Sequence, residues 1–152
     1  MNFGFSLVGL VFLLMIFVPN IVWSKFKPKD YDKFSENENK LLLILERIGE
    51  VLVTCFALFT DIKFSWSAIL IIAFVLLILY ELYWCKYFKS NHTMKDMYSS
   101  FLSIPLPGAT LPVLAFLLLG IYANNLFLVI SALILGIGHI GIHYNHEQEL
   151  NY

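Results

Sequence analysis

The sequence predicts an all-α, polytopic integral membrane protein, a bundle of five transmembrane helices in a single domain over residues 1–152. Two observations support this fold class. Hydrophobic residues make up 59% of the chain and charged residues only 14%, an apolar share well above that of soluble domains. The apolar residues also fall into five stretches, each near the roughly 20 residues that a helix needs to cross about 30 Å of hydrocarbon. These stretches cover residues 3–23, 41–60, 67–85, 97–122 and 126–144.

The first stretch, residues 3–23, has two possible interpretations, a cleavable signal peptide or a spanning helix. No Lys or Arg precedes the apolar run, the run is long, and no A-x-A cleavage site follows it. Because a secretory signal normally has a basic start and a small-residue cleavage site, we expect a transmembrane helix here.

The second stretch contains a compact group of charges, Glu46, Arg47 and Glu50, in the segment LERIGE. Glu46 and Glu50 are four residues apart on one helix face, and Arg47 is spaced to pair with Glu50. Charges at membrane depth are costly, so we expect them to face one another or a wet cavity. An alternative is that Arg47 extends to the head groups and the glutamates only neutralise it or a neighbouring helix.

The third stretch, residues 67–85, is apolar except near its end, where Glu81 stands among aromatic residues. Glu81 either faces the same polar site as the charges of the second helix or reaches the nearby head-group region. The sequence leaves both possibilities open.

The fourth stretch is predicted to be kinked or interrupted. Pro105, Pro107 and Pro112, together with Gly108, cannot all lie inside one regular helix. A helix beginning near Thr110 would be too short to span the membrane alone, so residues 99–107 are expected to enter the membrane as an irregular segment. Its positive N-terminal end would face a cavity. A plain proline kink is the alternative.

The fifth stretch carries three histidines on one helix face, His139, His143 and His146, with glycines between them. The glycines are expected to let another helix or a bound molecule approach closely. Neutral imidazoles bind zinc, copper or nickel, so His139, His143 and Glu50 are a candidate site for a divalent metal ion. Two alternatives stay open: a proton-linked or ligand-bonding role, and hydrogen bonds between helices.

The lysines predict the orientation of the chain in the cell membrane. Eight lysines flank the loops after the first and third stretches, whereas the loops on the other side contain only Lys63. Because Lys and Arg accumulate in cytoplasmic loops, the N-terminus is expected outside and the C-terminus in the cytoplasm.

This topology places the polar residues of separate helices at a similar depth, in the cytoplasmic half of the bilayer. We therefore predict a cytoplasm-facing polar cavity that binds or transports a small molecule, a cation or a proton. The predicted ligand-binding residues are Glu46, Arg47, Glu50, Glu81, His139 and His143.

Two other functions remain open at this stage. The same glutamates and histidines could serve a membrane-embedded enzyme acting on a lipid-like or thiol substrate, although no catalytic residue is assigned. They could instead join helices in a membrane scaffold or assembly protein. Membrane lipids are expected partners, and glycine-lined helix faces favour a homo-oligomer. With a net charge of −1 and no basic patch, nucleic-acid binding is not expected.

Overall fold

The computed structural model describes residues 3–150, and the regular elements of this range are seven α-helices. The predicted all-α class is confirmed. Five helices are long and two are short connecting helices. The helices are α1 (Leu7–Lys25), α2 (Tyr31–Ser35), α3 (Lys40–Leu58), α4 (Ala68–Phe88), α5 (Met94–Met97), α6 (Pro107–Tyr122) and α7 (Leu126–Leu150).

Three of these helices, α1, α4 and α7, are long and apolar enough to cross a membrane. Helix α6 is equally apolar but has only 16 residues, and α3 carries the charges Lys40, Glu46, Arg47 and Glu50. Large apolar side chains are exposed along the outer faces, for example Ile71, Ile72 and Val75 on α4. Such surfaces are stable in lipid rather than in water, and they indicate insertion into a membrane.

Polar side chains cap the starts of four of the five long helices, α1, α3, α4 and α7. The side chains of Ser6, Asn39 and Ser67 accept hydrogen bonds from backbone N–H groups in the first turns of α1, α3 and α4. The amide oxygen of Asn125 accepts from the N–H of Leu128, at 3.2 Å, in the first turn of α7. These N–H groups have no partner within the helix, so each cap favours a start at that position.

The fourth predicted stretch is interrupted, and its helix begins three residues earlier than expected. Helix α6 starts at Pro107, where a missing N–H costs nothing, instead of near Thr110. Before it, residues 98–106 are irregular, with left-handed backbone at Leu102, Ser103 and Leu106. Pro112 lies inside α6. The irregular backbone predicted for residues 99–107 is thus present as far as residue 106, because Pro105 and Pro107 prevent the preceding residues from continuing a helix.

Helices α3 and α7 pack most closely, because glycines remove side chains from their interface. A Cβ atom added at Gly49 would lie 2.5 Å from the backbone nitrogen of Leu135, and one at Gly138 would clash with the backbone of Glu46. Helix α6 packs between α4 and α7, and α1 contacts α3 and α4. The predicted close approach at Gly138 is thus present, and it places α3 directly beside the histidines of α7.

The two ends of the molecule differ in chemistry. We call the end where α1, α4 and α7 finish and α3 and α6 begin, with the connections 26–39 and 89–106, the lysine-rich end. Near it the core is aromatic and includes Tyr80, Tyr83, Trp84 and Tyr87. Further from the lysine-rich end the core consists of uncharged apolar residues. Most of them are aliphatic, and they include the aromatic residues Phe12 and Phe116. The charged residues and histidines of the helices are therefore concentrated in the half nearer the lysine-rich end, as the sequence predicts.

Candidate functional site

A cavity of about 500 Å³ lies inside the lysine-rich end, and we call it the polar cavity. All five long helices and the connections between them contribute to its lining. Five of the six predicted ligand-binding residues line it: Glu46, Arg47, Glu50, His139 and His143. Glu81 is the exception, since it is partly buried on α4 but is not part of the lining.

The pair Glu46 and His139 joins α3 to α7 at the wall of the polar cavity. Oε1 of Glu46 lies 2.5 Å from Nδ1 of His139, and the Glu46 side chain is only 10% exposed. A buried carboxylate without a partner would be costly, so the imidazole compensates for its removal from water. Gly138 makes this contact possible, because α3 can approach α7 only where the side chain is missing.

A second polar group connects α7 to the irregular segment that precedes α6. The hydroxyl of Tyr98 lies 2.8 Å from Nδ1 of His143 and 3.0 Å from Nδ1 of His146. A phenol has one proton, so it donates to one imidazole and accepts from the other. Two neutral histidines in this arrangement therefore have opposite tautomers. His139 and His143 also contact each other, with ring centroids 4.5 Å apart.

His146 connects this polar group to the segment between α1 and α3. It is 1% exposed, contacts the rings of Tyr31 and Phe34 on α2, and its Nε2 atom lies 3.4 Å from Oε1 of Glu38. Burial raises the pKa of Glu38, with a further contribution from the charge of Glu46. The end of α7 thus holds the short helix α2 over the polar cavity.

Arg47 and Glu50 form the more exposed part of the site. An Nη1 atom of Arg47 donates to Oε2 of Glu50 at 2.8 Å, and both side chains remain well exposed. This is the predicted pairing across one helical turn. Arg47 keeps further N–H groups that a bound molecule could use, because a guanidinium has five donors.

Aromatic side chains form the opposite wall of the polar cavity. The rings of Trp23 and Tyr31 meet edge to face at 4.9 Å, and the ammonium of Lys27 lies 5.4 Å and 5.5 Å from their centroids. Burial and the nearby carboxylates raise the pKa of Tyr31 to about 12, so its hydroxyl stays neutral. This wall already accommodates a cation at its face.

One hydrogen-bond donor in the lining, the buried indole N–H of Trp23, has no partner within the described residues. Buried polar groups are almost always paired, so donors of this kind beside a cavity indicate that an acceptor oxygen belongs there.

No group of three or more His, Cys, Asp and Glu side chains suited to hold a metal ion occurs within residues 3–150. The three residues of the predicted set, His139, His143 and Glu50, each have another partner. His139 contacts Glu46, His143 contacts Tyr98, and Glu50 contacts Arg47. The geometry therefore favours hydrogen bonding over metal coordination at this place.

Several lining residues were not predicted as part of a site. Trp23 and Trp84 have the positions of ordinary aromatic anchors at a membrane boundary, and Glu38 lies in a charged loop that resembles a solvated one. Tyr98 lies in an irregular segment whose path local periodicity does not define. The proline-rich sequence after Tyr98 was the one available signal, because irregular backbone at membrane depth usually lines a cavity.

No protein-family model matches the chain, and no curated protein or solved structure shows significant similarity to it.

Proposed function

We propose that this protein is a five-span membrane protein whose polar cavity opens to the cytoplasm and binds or transports a small molecule, a cation or a proton. One observation supports this proposal above the others. Glu46 and His139, distant in sequence and costly to bury, meet at the wall of a cavity of about 500 Å³. Binding sites for small molecules have volumes of this order and a few convergent polar groups.

The packing of α3 against α7 and α1, and of α6 against α4 and α7, supports a five-span arrangement. Helix α6 is about 24 Å long by its helical rise, so it needs the irregular residues 98–106 to complete a crossing. Helix α3 turns Glu46 toward α7 and exposes Ile44, Ile48 and Val51, which suits a helix in contact with lipid. Pro112 supplies a site for a kink in α6.

The distribution of lysines supports the orientation. All eight lysines of the two long loops flank the lysine-rich end, while Lys63 lies at the other. By the positive-inside rule the lysine-rich end faces the cytoplasm, with the N-terminus outside. The polar cavity then opens toward the cytoplasm, which would supply its ligand.

A membrane enzyme with a lipid-like or thiol substrate is the second candidate function. The carboxylate–imidazole contact between Glu46 and His139 favours it, because a carboxylate that orients a histidine is a common arrangement in acid–base catalysis. In this alternative His139 accepts a proton from substrate and Glu46 stabilises the resulting imidazolium. Turnover of a substrate would distinguish an enzyme from a binding protein.

The test is native mass spectrometry of the detergent-purified protein, combined with metal analysis of the same samples. We expect the wild type to retain a bound small molecule that His139→Ala loses. Ile137→Ala is the matched control, because Ile137 is exposed on the same helix and lies two residues away. Ligand-free protein in all three samples, with oligomer stability changed in His139→Ala, would favour the scaffold and exclude the binding function.

A further inference from the structure

A second cavity of about 490 Å³ adjoins the polar cavity, and we call it the apolar groove. It lies between α1, α3, α6 and α7, and most of its lining is hydrocarbon. Asn20, Glu50 and His139 line both cavities. The polar cavity and the apolar groove therefore adjoin at these three side chains, with a polar lining on one side and an apolar lining on the other.

The apolar groove opens to the part of the surface that faces lipid. Val51 and Phe17 line it and are 62% and 43% exposed, whereas Val53 and Phe116 form its buried floor. A hydrocarbon chain could enter here from the surrounding bilayer without crossing water. Its transfer costs little, because the lining and the lipid are similarly apolar.

The polar cavity offers complementary groups for both signs of charge. Its lining has four carboxylates and two basic groups, so its formal charge favours a cation. Lys27 already occupies the face of Trp23 and Tyr31 with its own ammonium, so a ligand cation would lie against the carboxylates rather than on these rings. The buried indole N–H of Trp23 has no partner within the described residues and is available to donate to an acceptor oxygen.

We propose that the two cavities together bind one single-chain amphiphile with a zwitterionic head group. The hydrocarbon chain occupies the apolar groove. The ammonium lies among the carboxylates, and a phosphate oxygen accepts a hydrogen bond from the indole N–H of Trp23. This inference rests on the proposed function and assigns its ligand class, a lysophospholipid with an ammonium–phosphate head group.

The experiment measures binding of three probes to the full chain in maltoside detergent by native mass spectrometry. Lysophosphatidylcholine carries both features, glycerophosphocholine has the same head group without a chain, and lysophosphatidylglycerol has the chain without the ammonium. We expect one lysophosphatidylcholine per protein, bound at least about tenfold more tightly than either of the other probes, the equivalent of about 1.4 kcal/mol.

A variant of the apolar groove separates the chain site from the head-group site. Val51→Trp fills the exposed mouth of the groove and should weaken lysophosphatidylcholine about tenfold while leaving glycerophosphocholine unchanged. Val75→Trp is the control, because Val75 is similarly exposed on α4 and does not line the groove. Since Val51 faces outward, the substitution leaves the core unchanged.

Each outcome decides part of the proposal. Equal binding of lysophosphatidylcholine and glycerophosphocholine, or no effect of Val51→Trp, would overturn the amphiphile while leaving a polar-cavity binding protein. Equal binding of the two lysolipids would overturn the zwitterionic head group. If all three probes fail but the wild type still retains a small molecule that His139→Ala loses, this inference fails and the proposed function stands. If nothing is retained, both fail.

Discussion

Glu46 and His139 form the contact on which the site depends, and its energy can be measured. Replacing Glu46 by Gln, or His139 by Gln, leaves one buried polar partner poorly satisfied, so each change should destabilise the protein by about 1–3 kcal/mol. The measurement is reversible unfolding in mixed micelles. The double variant should cost less than the sum of the single variants, because the two groups interact directly.

The neighbouring pair of Arg47 and Glu50 provides the control for that cycle. Both side chains are well exposed, so Glu50→Gln should cost less than about 1 kcal/mol. Additive effects of the Glu46 and His139 substitutions would contradict a direct contact between these residues.

Tyr98 is predicted to be the residue that holds the irregular segment against α7. Tyr98→Phe removes the hydroxyl shared by His143 and His146, and we expect a loss of about 1–3 kcal/mol in the free energy of unfolding. Tyr144→Phe is the matched control, since Tyr144 is 53% exposed and its loss should change stability by no more than about 0.5 kcal/mol. Equal effects of the two substitutions would exclude the bridging role.

Tyr31 gives the site a measurable dependence on alkaline pH. Its pKa is raised to about 12, first by burial and then by the charges of Glu38 and Glu46. In the unfolded chain the phenol of Tyr31 has a pKa near 10. The contribution of the neutral phenol to the free energy of unfolding is therefore complete below about pH 10 and is lost as the pH rises toward 12. The wild type should lose stability more steeply than Tyr31→Phe across this interval. Parallel curves would contradict a buried phenol.

Sequence spacing predicts a side-chain contact when the two residues share a helix. The cost of burying a charge in lipid predicts that charged residues from different helices meet in one polar site. The pairing of Arg47 with Glu50 follows from three-residue spacing, and the inclusion of Glu46 and His139 in one cavity follows from the cost of charges in lipid. Tyr98 and Trp84 could not be assigned in this way. The role of Tyr98 depends on where the irregular segment folds back, and that of Trp84 depends on which helices pack around its ring.

At the scale of the elements, the α3–α7 interface depends on glycine at position 138. Gly138→Ala places a methyl group against the backbone of Glu46 and Leu42, which cannot move aside, and should cost about 1–3 kcal/mol. Gly141→Ala is the matched control, because its methyl group would meet only the flexible tip of Leu42. The measurement is thermal unfolding in detergent, and similar losses for both variants would contradict close backbone packing at Gly138.

The existence of the long helices was predictable, but their limits depended on individual residues. The predicted starts at 41, 67 and 126 agree with the structure within one residue, since Asn39, Ser67 and Asn125 supply the caps. The fifth predicted helix was expected to end at residue 144, yet α7 continues to Leu150. Its last turns lie outside the apolar stretch, and the contacts of His146 with α2 and Tyr98 hold them.

At the scale of the whole molecule, the apolar outer surface and the asymmetric lysines are read directly from composition and charge. The polar cavity cannot be predicted in this way, because it is the space enclosed by residues from five helices, α1, α3, α4, α6 and α7. The sequence indicated its depth and its acids and histidines. The aromatic wall and the adjoining apolar groove arise only from the packing of all the helices.

The most direct test of the central claim, a wet cavity that opens to the cytoplasm, uses a single cysteine. In a background with Cys55 and Cys85 replaced by alanine, Glu50→Cys places a thiol in the cavity lining, and Ile48→Cys places one on the outer face of the same helix. Only a thiolate that is in contact with water can attack a charged, membrane-impermeant thiol reagent. We predict that Glu50→Cys reacts at least about tenfold faster than Ile48→Cys in inverted vesicles, and not in right-side-out vesicles. Equal rates at the two positions, or faster labelling from the external side, would contradict the account.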